Sequence, residues 1–347
     1  LYELAQAHGI AVPATVSGST EGFRLRARLA IRGRSNSPKI GLFEADSHRV
    51  VHIPYCRVQH SLINRVASIV RRALVDTGVT CYSDGAHVGL ARYLQVVIER
   101  SSQTAQVVLV ANSATPEPLA ACLDLIRERL GSELHSLWLN TNCGEGNTIL
   151  GPDYRRWYGA DTVIEHFGGA AIHYPPGAFG QNNLDIAQRI VEQVRDDIPA
   201  GAVVAEFYAG VGAIGLSILD RSAELRMNEV GESSLQGLEL GLAQLDGERR
   251  AKVSVSPGLA GSAIEMASGA QVVVADPPRK GLDPQLCTYL SEQAPERFIY
   301  VSCGLESLIK DCAQLTSRGK LRLAQLTAYN LMPFTEHVET VARFERA

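Results

Sequence analysis

The spacing of apolar residues changes character about halfway along the chain. From about residue 20 to 110 short extended runs dominate. "FRLRARLAIRGR" (Phe23–Arg34) alternates with period two, and "KIGLFEADSHRVVHI" reads as a hairpin. "YLQVVIER" and "AQVVLVAN" are two more strands flanking the turn "SSQT". Two helices are predicted: "SLINRVASIVRRALVDTG", with Leu62, Val66, Ile69 and Val70 on one stripe, and "PLAACLDLIRERLG", with Gly131 as C-cap. "SLWLNTN" is again extended. This half reads as an α+β domain, residues 1–174.

From about residue 181 strands and helices alternate. After the amphipathic helix "LDIAQRIVEQVRDDI" come the strands "AVVAEFYA", "ELRMNEV", "KVSVS", "QVVVADPP" and "RFIYVSC". Between them lie the helices "AIGLSILDRS", "SSLQGLELGLAQLDG" and "PQLCTYLSEQA". That rhythm predicts an α/β domain with a mostly parallel, doubly wound sheet, residues 175–347. The last two strands, "LRLAQLTAYNLM" and "HVETVARFER", have no helix between them, so they must pair antiparallel or splay apart.

Several chemically capable residues fall at the strand ends. "EFYAGVGAIGL" sets Gly210, Gly212 and Gly215 in GxGxxG spacing between a strand and a helix, and Glu229 closes the next strand. An acid there suits ribose hydroxyls, which both NAD and S-adenosylmethionine carry. A plain turn with a surface glutamate is the alternative. Pro277 and Pro278 after Asp276 make a rigid lip at the carboxyl edge of the sheet, where open α/β folds bind ligands. An enzyme clamping a flat base beside a methyl donor can use such a lip; a dehydrogenase does not need one. Cys303 stands where "RFIYVS" stops and a helix starts. A free cysteine there is either a small buried hydrophobe or a thiol whose anion the helix N-terminus favours. If the final strand runs antiparallel, Glu339 at its start shares the rim with Cys303.

Composition narrows the class without naming it. The chain has 347 residues, enough for two domains, with 46% hydrophobic and 20% charged residues, as in an ordinary globular protein. No apolar run approaches a membrane span, and no signal peptide is visible. The net charge of −4 does not advertise a nucleic-acid binder, but a local basic patch can serve on an acidic protein. Seven scattered cysteines without a CxxC pair indicate reduced thiols, hence a cytoplasmic setting. The chain opens at Leu1 rather than Met, as a fragment would.

Taken in order, "RLRARLAI", "HIPYC", "NTNCGEGNTILG", "AFGQNN", "EFYAGVGAIGL", "ADPPRKGLD", "YVSCGLESL" and "FTEHVETVARFER" resemble the S-adenosylmethionine-dependent RNA 5-methyluridine (uracil-carbon-5) methyltransferases. The resemblance covers nearly the whole chain, and the "DPPRKG", "SC" and "HVE" set is its most specific part. It implies a class I (Rossmann-like) methyltransferase domain acting on RNA. Cys303 matches the family nucleophile and Glu339 the general base. Gln181, Tyr208, Glu229 and Asp276, with Gly210 and Gly212 of the glycine loop, match donor-holding positions. There are departures: Gly304 and Leu305 replace Asn and Pro after the nucleophile, and Glu206 and Ala209 replace Asp and Cys in the glycine-loop segment. "SPGLAGSA" replaces a stretch that usually contacts the adenine side.

Cys56 matches one ligand of the iron–sulfur cluster in the cluster-bearing ribosomal branch. The other three lie upstream in that branch and not in this chain, so a cluster is expected only if an upstream segment exists. The same likeness makes ribosomal RNA the first substrate expectation and transfer RNA the second. Arg24, Arg26 and Arg28, continued by Arg32 and Arg34, point to one face of a continuous strand, either as a phosphate-tracking row or as a solvated face. Two rival readings are a nicotinamide-dependent oxidoreductase and a non-catalytic RNA-binding relative. No membrane and no obligate protein partner is expected.

Overall fold

A computed structural model describes all residues, 1–347. The chain forms two compact units: Leu1–Gly18 with His166–Tyr174 and Ala178–Ala347, and Ser19–Glu165 with Pro175–Gly177. The sequence reading draws one break after residue 174. Here Leu1–Gly18 joins the C-terminal sheet instead. Strand Ala14–Val16 pairs in parallel with Thr327–Tyr329, and Leu4 and Ala5 are buried in that unit's core. No helix is long and apolar enough to cross a membrane.

In the larger unit the eight strands lie in the order Ala14–Val16, Leu321–Tyr329, Glu339–Arg346, Arg297–Ser302, Val272–Ala275, Ala202–Phe207, Ser222–Glu229, Val253–Pro257. The five from Arg297–Ser302 to Val253–Pro257 run parallel. Glu339–Arg346 is antiparallel to both its neighbours. Strand order therefore reverses beside Ala202–Phe207, the crevice where such sheets hold ligands. The central strands are apolar on both faces because helices cover both: Val272–Ala275 is buried throughout. Phe298, Tyr300 and Phe344 anchor one face, with the Phe298 and Phe344 rings stacked at 5.6 Å.

The helix after the glycine loop is shorter than its pattern suggests. It spans only Gly215–Ile218 and passes into a 3-10 turn at Leu219–Arg221. The hydroxyls of Ser217 and Ser222 bond back to the Ala213 and Ile218 carbonyls, which ends the helix early.

The smaller unit carries a seven-stranded sheet in the order Val50–His52, Ser37–Phe43, Arg26–Arg34, Ala91–Glu99, Thr104–Ala111, Leu134–Thr141, Asp153–Gly159. Its one parallel pair, Thr104–Ala111 with Leu134–Thr141, is connected through helix Ala120–Leu130. Helix Ser61–Asp76 buries Leu62, Ile63, Val66 and Val70; Ile69 is only half-buried, at the stripe's margin.

Candidate active site

The carboxyl edge of the parallel strands gathers most of the residues singled out in the sequence. Strand Ala202–Phe207 ends in Tyr208, which holds a left-handed backbone (φ 61°), followed by Gly210 at 58° and Gly212 at 86°. A non-glycine residue in that region is strained, and such strain concentrates at functional sites. The Tyr208 hydroxyl accepts the Asp283 amide at 2.9 Å, so its ring and backbone are what it can offer a ligand. Glu229 receives the Gly210 amide at 2.8 Å and the Gly231 amide at 2.6 Å. These bonds fix its carboxylate and leave lone pairs to spare. Nothing lies within 4 Å of where a Gly210 side chain would begin. Half-buried Gln181 precedes Asn183, whose side chain accepts the Ile186 amide and so caps helix Leu184–Asp197.

Cys303 follows strand Arg297–Ser302 and precedes helix Leu305–Thr316, as the apolar pattern predicts. Glu339 opens the final strand. Ser302 stands opposite Thr340, so the two reach the same edge from opposite chain directions. Glu339 is 4% exposed, and its Oε1 has no hydrogen-bond partner. Half-buried Asp276 follows the middle strand, Val272–Ala275.

The charges of these groups act on one another. Burial, and then Asp276, push the Glu339 carboxyl up to about 8, with Arg279 pulling the other way. Burial raises Asp276 as well. The Cys303 thiol is also raised, by burial, then Glu339 and Asp276, with Arg279 opposing. The expectation of a thiol lowered by its helix N-terminus is therefore corrected: two carboxyls and burial outweigh the helix end. Arg279, at the tip of the proline-rigid segment, is the cation here. Its motif was visible in the sequence, but nothing in the pattern showed which way the guanidinium would act.

The departures have local causes. A Cβ at Gly304 would lie 2.7 Å from Ser307 Oγ and 2.9 Å from the Arg279 carbonyl, so the chain has no room for the usual Asn. Glu206 is 2% exposed with Oε2 unpartnered. It is pushed up to about 8 by burial, partly offset by the Gly215 amide. A Cβ on Gly215 would approach that oxygen to 2.1 Å.

The remaining candidates lie in the smaller unit. Arg24 precedes strand Arg26–Arg34 and is half-buried, as is Arg26, while exposed Arg28 donates from Nε to Gln95 at 2.7 Å. Arg32 leaves the row. It is buried against Phe43, Tyr82 and Tyr93 and bonded to Asp84, a structural post rather than a phosphate contact. Cys56 exchanges two backbone hydrogen bonds with the Asn64 side chain. No group of three His, Cys, Asp or Glu residues converges there or elsewhere in the chain, so Cys56 stands as a packed thiol without co-ligands here.

Strand order, topological switch and glycine turn define a class I methyltransferase fold. The profile of the tRNA (uracil-5-)-methyltransferase family matches residues 260–347. A protein described as an uncharacterized RNA methyltransferase in Protochlamydia amoebophila is 34% identical over 340 residues, spanning 96% of this chain and 88% of its own. A similarly described protein of Geobacter sulfurreducens is 30% identical over 326 residues, 92% of this chain and 65% of that one. Among solved structures, Pyrococcus abyssi tRNA (uracil-54, C5)-methyltransferase in complex with S-adenosyl-L-homocysteine matches with a TM-score of 0.80. It is 22% identical, with 99% of this chain and 81% of that one covered.

The chain belongs to the S-adenosylmethionine-dependent RNA 5-methyluridine methyltransferases. The nicotinamide reading of its glycine loop is set aside.

Proposed function

We propose that this protein methylates carbon 5 of a uridine in RNA through a covalent intermediate, with Cys303 as nucleophile and Glu339 as general base. The observation that carries the reading is their arrival, on adjacent antiparallel strands, at one edge beside Asp276. Donor binding is assigned to Gln181, Tyr208, Gly210, Gly212, Glu229 and Asp276. The open space at Gly210 and the fixed Glu229 carboxylate fit a ribose-bearing donor.

Carbon 5 of uracil is too weak a nucleophile to take a methyl group unaided. Cys303 Sγ forms a bond to carbon 6, and the displaced pair makes an enolate across carbon 5 and the neighbouring carbonyl. The bound donor supplies an electrophilic methyl to carbon 5. Glu339 then removes the carbon 5 proton, the pair returns to the ring, and the carbon 6–sulfur bond breaks to release thiolate. A carboxylate raised toward neutrality suits this task, because it accepts the proton with little driving force lost. The target base must leave its stack to be reached.

The unit Ser19–Glu165 is the proposed RNA-contacting part, with Arg24, Arg26 and Arg28 on its sheet. Ribosomal RNA is the first substrate to test, on the likeness of the Cys56 segment to the ribosomal branch. Transfer RNA, named in the matching profile, is second.

The test is incubation with donor and ribosomal or transfer RNA transcripts carrying 5-fluorouridine. A covalent complex on denaturing gels, mapped to one uridine, is expected. RNA bound without any adduct would instead mark a binding-only relative.

A further inference from the structure

Two consecutive backbone amides that follow the proline-rigid segment are held by side chains from different elements. Asp283 donates to the Tyr208 hydroxyl at 2.9 Å, on the glycine-loop side. Leu282 donates to Asp311 Oδ2, also at 2.9 Å, on the side of Cys303. Asp311 is buried in helix Leu305–Thr316. Its same oxygen accepts the Tyr300 hydroxyl at 2.8 Å from the strand that leads to Cys303. One carboxylate oxygen thereby ties together the strand before the thiol, the helix after it and the segment that carries Arg279.

The fit is close on both sides of this tie. Gly281 has φ 88°, and a Cβ there would meet Asp311 Oδ2 at 2.4 Å. Gly304 faces the Arg279 carbonyl with no room for a side chain. A buried carboxylate bonded only to an amide and a phenol, with no cation beside it, stabilises little that an apolar residue could not. What it supplies is position.

We propose that Asp311 is a positioning residue for methyl transfer, setting the Asp276–Asp283 segment, and with it Arg279, in place beside Cys303 and Glu339. It touches no reacting atom. The proposal rests on the reading of Cys303 as nucleophile.

The charged groups acting on Cys303 are Glu339, Asp276 and Arg279, and only Arg279 favours its anion. Asp276 is fixed where strand Val272–Ala275 ends, so a slip of the part beyond it displaces Arg279 and moves the thiol's reactivity to higher pH. The test is the pH–rate profile of Cys303 alkylation by iodoacetamide in the full chain without RNA, read by peptide mass spectrometry. It is paired with the single-turnover rate of adduct formation on 5-fluorouridine RNA. Asp311→Ala is expected to slow alkylation near neutral pH about 10-fold, as a shift of roughly one pH unit requires. It should slow adduct formation about 100-fold, the cost of misplacement on the order of 1 Å, with the dissociation constant for RNA unchanged. Asp311→Asn should restore both, since its amide oxygen can accept the same two donors.

Gly281→Ala, at φ 88°, sets a Cβ against Asp311 Oδ2 and so displaces the segment from the other side of the tie, and it should reproduce the Ala phenotype. It decides the matter if Asp311→Ala does not fold. Alkylation and adduct rates matching the unmodified protein in either variant overturn the proposal. An unmodified protein that forms no adduct counts against the nucleophile reading, while the alkylation profiles still judge Asp311.

Discussion

Ser302 stands opposite Thr340 across an antiparallel strand pair, and that one registration carries Cys303 and Glu339 to the same edge of the sheet. The two are then separable by mutation. Cys303→Ala should form neither adduct nor product. Glu339→Gln keeps the nucleophile, so it should form adduct at a near-normal rate and resolve it about 10²–10⁴-fold more slowly, the usual worth of a general base. Gel-resolved complex followed over time distinguishes the steps. Normal turnover in Glu339→Gln would remove Glu339 from the mechanism.

The raised Glu339 carboxyl gives resolution a pH dependence of definite sign. Burial and Asp276 hold it at about 8, so at neutral pH most of the base carries its proton and is idle. Adduct decay should therefore climb from about pH 6 to about pH 9 and level off above the raised value. An ordinary exposed carboxylate would already be flat across that range. A flat profile in pre-formed adduct, chased in single turnover, would assign proton removal to another group.

Gly304 offers a test of the departure beside the nucleophile. Gly304→Asn restores the residue usual in the family, yet its Cβ would press on Ser307 Oγ at 2.7 Å and the Arg279 carbonyl at 2.9 Å. Overpacking of this kind costs about 1–3 kcal/mol, measurable as a shift in the denaturation midpoint. Adding Ser307→Ala should recover only part of the loss, since the carbonyl remains. A Gly304→Asn protein as stable and active as the parent would mean that the segment yields freely at this point.

The sequence made the ordered strand ends legible because period, glycine spacing and prolines are local signals. Cys303 at a strand-to-helix junction and Glu339 at the head of the last strand both follow from chain direction and apolar pattern alone. Charge was not legible in the same way. The helix N-terminus behind Cys303 suggested a lowered thiol, whereas two carboxyls brought from distant strands raise it. The arginine row shows the same limit. Alternation places Arg28 and Arg32 on one face, but only tertiary packing turns Arg32 in among three aromatic rings. Strand Ala14–Val16, far upstream of its partner Leu321–Tyr329, left no periodic trace long enough to read.

The remaining arginines make a prediction about salt. If Arg24, Arg26 and Arg28 follow the phosphate backbone, each charge removed should lower the slope of log affinity against log salt by about 0.7–0.9. Arg28→Gln is the cleanest probe, since Arg28 is exposed and held by a hydrogen bond to Gln95 with Tyr154 nearby rather than by an ion pair. Binding should weaken uniformly across RNA sequences, measured by titration at several salt concentrations. An unchanged slope would return the row to an ordinary solvated face.

Glu206 supplies the last prediction, this one about stability. Its carboxyl is raised from the ordinary 4.5 to about 8, chiefly by burial. A group whose folded value lies above its unfolded one binds its proton more tightly in the folded state. Its stabilising contribution is therefore complete below about pH 4.5 and disappears as pH rises through about 8. Glu339 and Asp276 titrate in the same direction, so a fall in melting temperature with pH would not by itself identify Glu206. The difference between the parent and Glu206→Gln does, because the amide cannot ionise while the other two remain. Melting temperatures from about pH 6 to about pH 9 should fall more steeply for the parent than for the variant. Parallel curves would mean that Glu206 keeps one protonation state across that range.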